Sequence, residues 1–291
     1  MKISTENISE LYEMSDGLFA IKSQVFIDAR TVVEGYFYID TGSNVNLINS
    51  SFVSFRRMIP GNVEVGGIGE TPISLKRCHV NIGTKHHNSA HHIICYMVDS
   101  TDEWADGVIG LLGYKYLKQH RLIVDFGRKM LYLKQKGTIS TCEINENYLC
   151  TSLCDLGDED LPILCFSDND GLKNYDCIID SGADTNIISQ HSLIDGQLNY
   201  SILSCKKKVI AGMGRCIESV PSIVEIIISG YAKRNGNHQY RHFSEAFEVG
   251  LSRNNLLPSA KFGKIDALLG IDFLKKNDCI IDCESSLLYI K

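Results

Sequence analysis

Phe37-Tyr38-Ile39-Asp40-Thr41-Gly42-Ser43, continuing Asn44-Val45-Asn46-Leu47-Ile48, has a counterpart later in the chain: Cys177-Ile178-Ile179-Asp180-Ser181-Gly182-Ala183, continuing Asp184-Thr185-Asn186-Ile187-Ile188. Each copy sets one Asp at the end of an apolar, β-branched run and follows it with a small hydroxyl residue and a glycine. The pattern predicts a strand that delivers a carboxylate to a tight turn, twice.

Working outward, further landmarks repeat in the same order. Asp40 and Asp180 lie 140 positions apart, and the glycines Gly69 and Gly214 lie 145 apart. Gly113 and Gly270 lie 157 apart, and that offset then holds without a gap for Leu117/Leu274, Asp125/Asp282, Tyr132/Tyr289 and Lys134/Lys291. One shared tripeptide could arise by chance, but ordered anchors point to an internal duplication. The expected organisation is an N-terminal arm (1–17), a first half (18–137), a connector (138–160) and a second half (161–291).

Within each half the texture is β. Leu18 to Ile27 and Thr31 to Ile39 read as a hairpin whose second strand ends at Asp40. Gly-rich tips flanked by apolar alternation, Gly67-Ile68-Gly69 and Gly212-Met213-Gly214, read as mobile hairpins. Leu111-Leu112-Gly113 and Leu268-Leu269-Gly270 each lead into a short helix. Ile223 to Ser229 and Phe243 to Leu251 read as strands around a long polar hairpin tip near Arg234-Asn235-Gly236-Asn237.

Composition bounds the partners. A net charge of −6, with Lys206-Lys207-Lys208 as the one notable basic run, disfavours nucleic acid. No stretch approaches the roughly 20 apolar residues that span a bilayer. The start, MKISTENISELYEM, lacks the apolar core of a signal peptide, and eleven scattered cysteines, many inside apolar runs, suit buried thiols in a reducing compartment. A cytoplasmic location is expected. His86-His87 and His91-His92 match no usual zinc spacing, so neither metal nor cofactor is expected.

An isolated Asp ionises at about pH 4 and is a poor general base at neutrality. Two carboxyls held side by side cannot both ionise cheaply, so one keeps its proton and their titrations split. The pair then contains one base and one acid. Thr41 and Ser181 can hydrogen-bond the opposite strand, and Gly42 and Gly182 can aim an N–H at each carboxylate.

The sequence resembles the aspartic proteases of the retropepsin type, within the broad family shared by retroviral proteases and pepsin. That family's carboxyl pair is the standard instance of the split titration just described. The resemblance covers residues 18–134 and 161–291 and rests on Asp40-Thr41-Gly42-Ser43, Asp180-Ser181-Gly182-Ala183, the two glycine tips and the two Leu-Leu-Gly segments. It implies an all-β fold with short helices: two β-barrel-like lobes related by a pseudo-twofold axis across a cleft, in one chain as in pepsin. It implies Asp40 and Asp180 as the catalytic pair of an endopeptidase. The substrate would be a peptide or protein bound in extended form by Ser43, Asn44, Ala183, Asp184 and the tips Gly67, Ile68, Gly69, Gly212, Met213 and Gly214. A monomer with an intramolecular pseudo-dimer would suffice. The sequence departs from the family at Asn44, where an acidic residue is usual, at Tyr114 and Ile271, where an Arg is usual, and in lacking the flap Tyr of the pepsin branch. The alternative reading is a non-catalytic peptide-binding or scaffold protein that keeps the fold.

Overall fold

In the computed structural model, residues 8–27, 30–65, 73–83, 91–99, 104–134, 147–155, 161–168, 171, 173–189, 192, 198, 200–204, 206, 208–212, 215–234, 237–252 and 265–291 are described. Strands dominate, with two six-residue α-helices, Tyr114–Gln119 and Ile271–Lys276. Strand formation follows the sequence texture. In Val32–Asp40, Phe37 and Ile39 are fully buried on one face while Tyr36 and Asp40 sit on the other, the period-two pattern of a pleated strand.

The first half closes into a ring of six strands. Phe19–Phe26 pairs antiparallel with Val32–Asp40, which runs parallel to Val108–Gly113. That strand pairs antiparallel with Leu47–Asn49, which runs parallel to His91–Val98. His91–Val98 pairs antiparallel with Ile73–Gly83, and Ile73–Gly83 returns to Phe19–Phe26 through Gln24↔Gly83 and Val25↔Ile82. Closure leaves these strands few free edges.

The second half repeats the same sequence of pairings. Pro162–Ser167 pairs antiparallel with Asn174–Ile179, which runs parallel to Ala267–Leu269, which pairs antiparallel with Ile187–Ser189. Ile187–Ser189 runs parallel to Asn237–Ser252, which pairs antiparallel with Arg215–Arg234, and the ring closes at Ser167↔Ile227.

A run of six antiparallel strands joins the halves, in the order Ile8–Glu10, Met130–Leu133, Leu122–Asp125, Ile280–Asp282, Leu287–Ile290, Leu149–Ser152. At its centre Val124 faces Ile281, Ile123 faces Asp282 and Asp125 faces Ile280. Positions 124 and 281 differ by 157, as do 123 and 280, and 125 and 282, so each half meets its own repeat at this seam. The backbone carries the same offset. Among the described residues the non-glycine positions with left-handed φ are Arg121, Lys129, Asp278 and Ser286, two pairs 157 apart. One buried apolar cluster runs through both rings, from Phe19, Phe37 and Ile39 to Ile179, Leu269 and Phe273.

Three local features go beyond the sequence reading. Within the N-terminal arm Ile8–Glu10 pairs with Met130–Leu133, and Leu11 is buried. The connector contributes Leu149–Ser152 and Cys154–Asp155 to the sheet. These strands are too short for visible periodicity, and Ile8–Glu10 and Leu149–Ser152 take their register from Met130–Leu133 and Leu287–Ile290, more than 100 positions away. The third is the hairpin near Arg234, whose strands run unbroken to Arg234↔Asn237 in place of a long polar loop.

Candidate active site

Asp40 is the last residue of its strand, held in register against Gly113 by the parallel pairing. Asp180 follows Asn174–Ile179, and its N–H donates to the Leu269 carbonyl at 2.9 Å. Each carboxyl therefore sits at the end of a strand that runs beside a Leu-Leu-Gly segment.

The two turns lock together reciprocally. The Thr41 N–H donates to Ser181 Oγ at 3.0 Å, and the Ser181 N–H donates to Thr41 Oγ1 at 2.9 Å. Each hydroxyl then donates onward to the carbonyl preceding the opposite Asp: Thr41 Oγ1 to Ile179 O, and Ser181 Oγ to Ile39 O, both at 2.7 Å. Thr41 and Ser181 are completely buried, so these four bonds leave neither hydroxyl unsatisfied.

The glycines are required by close approach. A Cβ on Gly42 would lie 2.1 Å from Asp180 Cγ, and one on Gly182 would lie 2.4 Å from Asp40 Cγ. Each glycine thus packs directly beneath the carboxyl of the other half. Its N–H also donates to its own half's Asp: Gly42 to Asp40 Oδ1 and Gly182 to Asp180 Oδ1, each at 2.9 Å.

Each carboxyl acts on the other's titration. Burial pushes the Asp40 carboxyl well above the usual carboxylate range, and the negative charge of Asp180 and the hydrogen bond to it push further; the amides of Gly42 and Ser43 pull back only in part. Burial also raises Asp180, but the hydrogen bond from Asp40 and the amides of Gly182, Ala183 and Gly42 hold it down. Both carboxyls thus hold a proton more tightly than a free Asp does, and one proton is shared by the pair.

The structure adds two residues to which the sequence reading assigned no role. Asn46 Oδ1 accepts from the Gly113 N–H at 3.0 Å, and Asn186 Oδ1 accepts from the Gly270 N–H at 2.8 Å. These amides tie each Asp-bearing turn to the glycine that opens each helix. A Cβ on Gly113 would lie 2.4 Å from the Val45 carbonyl, and one on Gly270 would lie 2.5 Å from that of Thr185, so no larger residue fits. A signal was present: each Asn stands six positions after its Asp.

Of the residues expected to bind substrate, Ser43, Asn44 and Ala183 are part-buried beside the pair and Asp184 is exposed. Gly212 ends the strand Lys208–Gly212, facing Arg215. Gly67, Ile68, Gly69, Met213 and Gly214 lie outside the described residues, as do His86 and His87. His92 is engaged locally, its Nε2 3.0 Å from His79 Nδ1 and its Nδ1 2.8 Å from Asn81 Oδ1. Among the described residues no cluster of three or more His, Cys, Asp or Glu is placed to hold a metal ion, and no helix is long and apolar enough to cross a membrane.

No family model matches the chain, and no curated protein matches it in sequence. Solved structures similar to it include conglutin gamma, a basic 7S globulin from lupine seeds, with 9% identity, a TM-score of 0.49 and 98% of this chain aligned to 94% of that one. Basic 7S globulin from soybean aligns over the same shares at 9% identity and a TM-score of 0.46. Likenesses this distant bear on no activity, and the functional reading rests on the site's own geometry.

Proposed function

We propose that the chain is an aspartic endopeptidase of the retropepsin type, with two lobes related by a pseudo-twofold axis as in pepsin and one catalytic Asp from each. The observation that carries this reading is the mutual enclosure of Asp40 and Asp180, each carboxyl seated on the glycine of the opposite half, with the hydroxyls of Thr41 and Ser181 locking the two turns together. A structural turn Asp needs neither a second carboxyl nor a raised affinity for its proton. An acid–base pair needs both.

In this mechanism the ionised carboxyl of the Asp40–Asp180 pair takes a proton from a water whose oxygen attacks the scissile carbonyl carbon. The protonated carboxyl of the pair gives its proton to the carbonyl oxygen. The tetrahedral diol then collapses: a proton passes to the amide nitrogen, the C–N bond breaks and a carboxylic acid and an amine leave. No covalent enzyme intermediate and no cofactor is needed. Ser43, Asn44, Ala183 and Asp184 follow the two carboxyls and are the groups available to hold an extended substrate main chain. One chain supplies the whole site. Eight cysteines among the described residues are free thiols, which supports a reducing compartment such as the cytoplasm.

The test is cleavage of a diverse peptide mixture between pH 4 and pH 8 by the wild type, Asp40→Asn and Asp180→Asn. Cuts made by the wild type and lost in both variants support the shared pair. Peptide binding without cuts, equal in all three proteins, overturns the enzyme reading in favour of a binding module.

A further inference from the structure

The strand Asn237–Ser252 is paired along one edge over its whole length, with Arg215–Arg234. On its other edge only Gly250, Leu251 and Ser252 pair, with Ile187–Ser189. Among the described residues nothing pairs with that outer edge from Asn237 to Glu248. An open edge of this length is a template for another strand, and proteins ordinarily blunt one with proline, a bulge or charged side chains, lysine above all; here the charges, Arg241, Glu245 and Glu248, are of both signs. This stretch, Asn237-His238-Gln239-Tyr240-Arg241-His242-Phe243-Ser244-Glu245-Ala246-Phe247-Glu248, contains neither proline nor lysine, and its pairing with Arg215–Arg234 shows no register shift.

The hydrogen-bonding parity of the edge is fixed. The Gly250 N–H points outward, to the Asn186 carbonyl at 2.8 Å. Even-numbered residues therefore present their N–H and C=O outward, and odd-numbered ones face Arg215–Arg234. Two copies meeting antiparallel about a twofold axis can match even residues only with even ones, so the axis passes through a residue and not between two. With the axis at Phe243, close to the middle of the open stretch, His242 meets Ser244, Tyr240 meets Ala246 and His238 meets Glu248. On the alternate face Arg241 meets Glu245. Arg241 lies before the axis and Glu245 after it, so the twofold sets these opposite charges across the axis twice. Moving the axis one residue either way removes both the Arg241–Glu245 and the His238–Glu248 matches.

A second observation lies on the neighbouring surface. Tyr231 and Tyr240 are 56% and 59% exposed, with rings edge to face at 5.5 Å, and Tyr240 also packs edge-on against His242 at 5.1 Å. Large aromatics left in water beside an open edge are what protein interfaces enrich.

We propose that residues 237–248 form a homodimer interface, in which a second copy of this chain adds its own strand antiparallel about Phe243 and joins the two second-half sheets into one. Each copy keeps a complete Asp40–Asp180 pair, so the dimer is independent of the peptidase reading.

Sedimentation equilibrium of the full chain over a hundredfold range of concentration tests this. The wild type is expected at twice the 32.5 kDa chain mass. Arg241→Glu, which sets like charges across the axis twice, is expected to weaken the dimer by about tenfold or more. Adding Glu245→Arg to that variant exchanges the two charges and should restore it. Ser244→Pro removes one outward N–H and the exposed Ser244 Oγ bond to Glu225 but no backbone bond to Arg215–Arg234, and should give a monomer with an unchanged circular dichroism spectrum. A wild type that stays monomeric throughout, or a dimer indifferent to Arg241→Glu and Ser244→Pro, overturns the proposal.

Discussion

Asp125 and Asp282 occupy the same point of the repeat, one in each half, and have different surroundings. Asp282 is buried and receives the Lys134 ammonium at 2.9 Å, with both side chains less than a tenth exposed; Lys134 also reaches Ser285 and lies 3.4 Å from Glu284. Asp125 is equally buried, but its cation is Arg128, 3.4 Å away and largely in water. Burial pushes the Asp125 carboxyl up, against the pull of Arg128. Lys291, the counterpart of Lys134, is half exposed and pairs with Asp278 instead. The halves match closely at the Asp-bearing turns and diverge at these ion pairs. The reason is physical: every bond in the Thr41–Ser181 lock needs its mirror image, whereas an ion pair is satisfied by any local partner.

The largest effect should come from breaking the match at the centre. Asp40→Asn and Asp180→Asn are each expected to lower kcat by roughly 10²–10⁴-fold on any peptide the wild type cuts. The double variant should be little worse than either single one, because the pair acts as a unit. A variant that kept its activity would separate the halves functionally.

Next comes the divergent pair. Lys134→Met strands a buried carboxylate and should cost about 3–5 kcal/mol in urea unfolding. Lys291→Met, at the equivalent position, should leave the midpoint unchanged, because its pair is solvated. Equal costs would mean that the two sites are alike in solution.

Gly42→Ala and Gly182→Ala sharpen the comparison at the turns. Each methyl would press on the opposite carboxyl, so a loss of about 1–3 kcal/mol and a disrupted pair are expected from both. A harmless Gly42→Ala would show that the turns do not enclose the carboxyls as described.

The smallest effect concerns pH. Both central carboxyls bind their proton more tightly in the folded chain than in the unfolded one. Their contribution to stability is fully present below the unfolded value, about pH 4, and is lost as pH rises through the folded values. Asp40→Asn removes much of that loss. Its thermal midpoint relative to wild type should therefore climb steadily between pH 4 and pH 7, and a flat difference would contradict the raised affinity.

Much of this could be read from the chain. The repeated Asp-hydroxyl-Gly stretches are placed as expected, and the 157-residue offset reappears as the register of Val124 against Ile281. Other features were readable only in part. Asn46 and Asn186 showed the right spacing, but an Asn near a turn is too common to single out without its acceptor geometry. Tyr231 and Tyr240 look like ordinary strand residues until the long hairpin carries them into solvent.

The sequence by itself determined the duplication, the β texture and the two carboxylates at strand ends, because these follow from local pattern and from order along the chain. Tertiary structure alone decided that Thr41 and Ser181 grip each other's strand, that Gly42 and Gly182 lie beneath opposite carboxyls, that Lys134 finds Asp282, and that, among the described residues, nothing pairs with one edge of the second half. Each of those depends on groups more than 100 residues apart, or on which edge a fold leaves unpaired. Nothing in the local pattern records such distances; only closing the chain creates them.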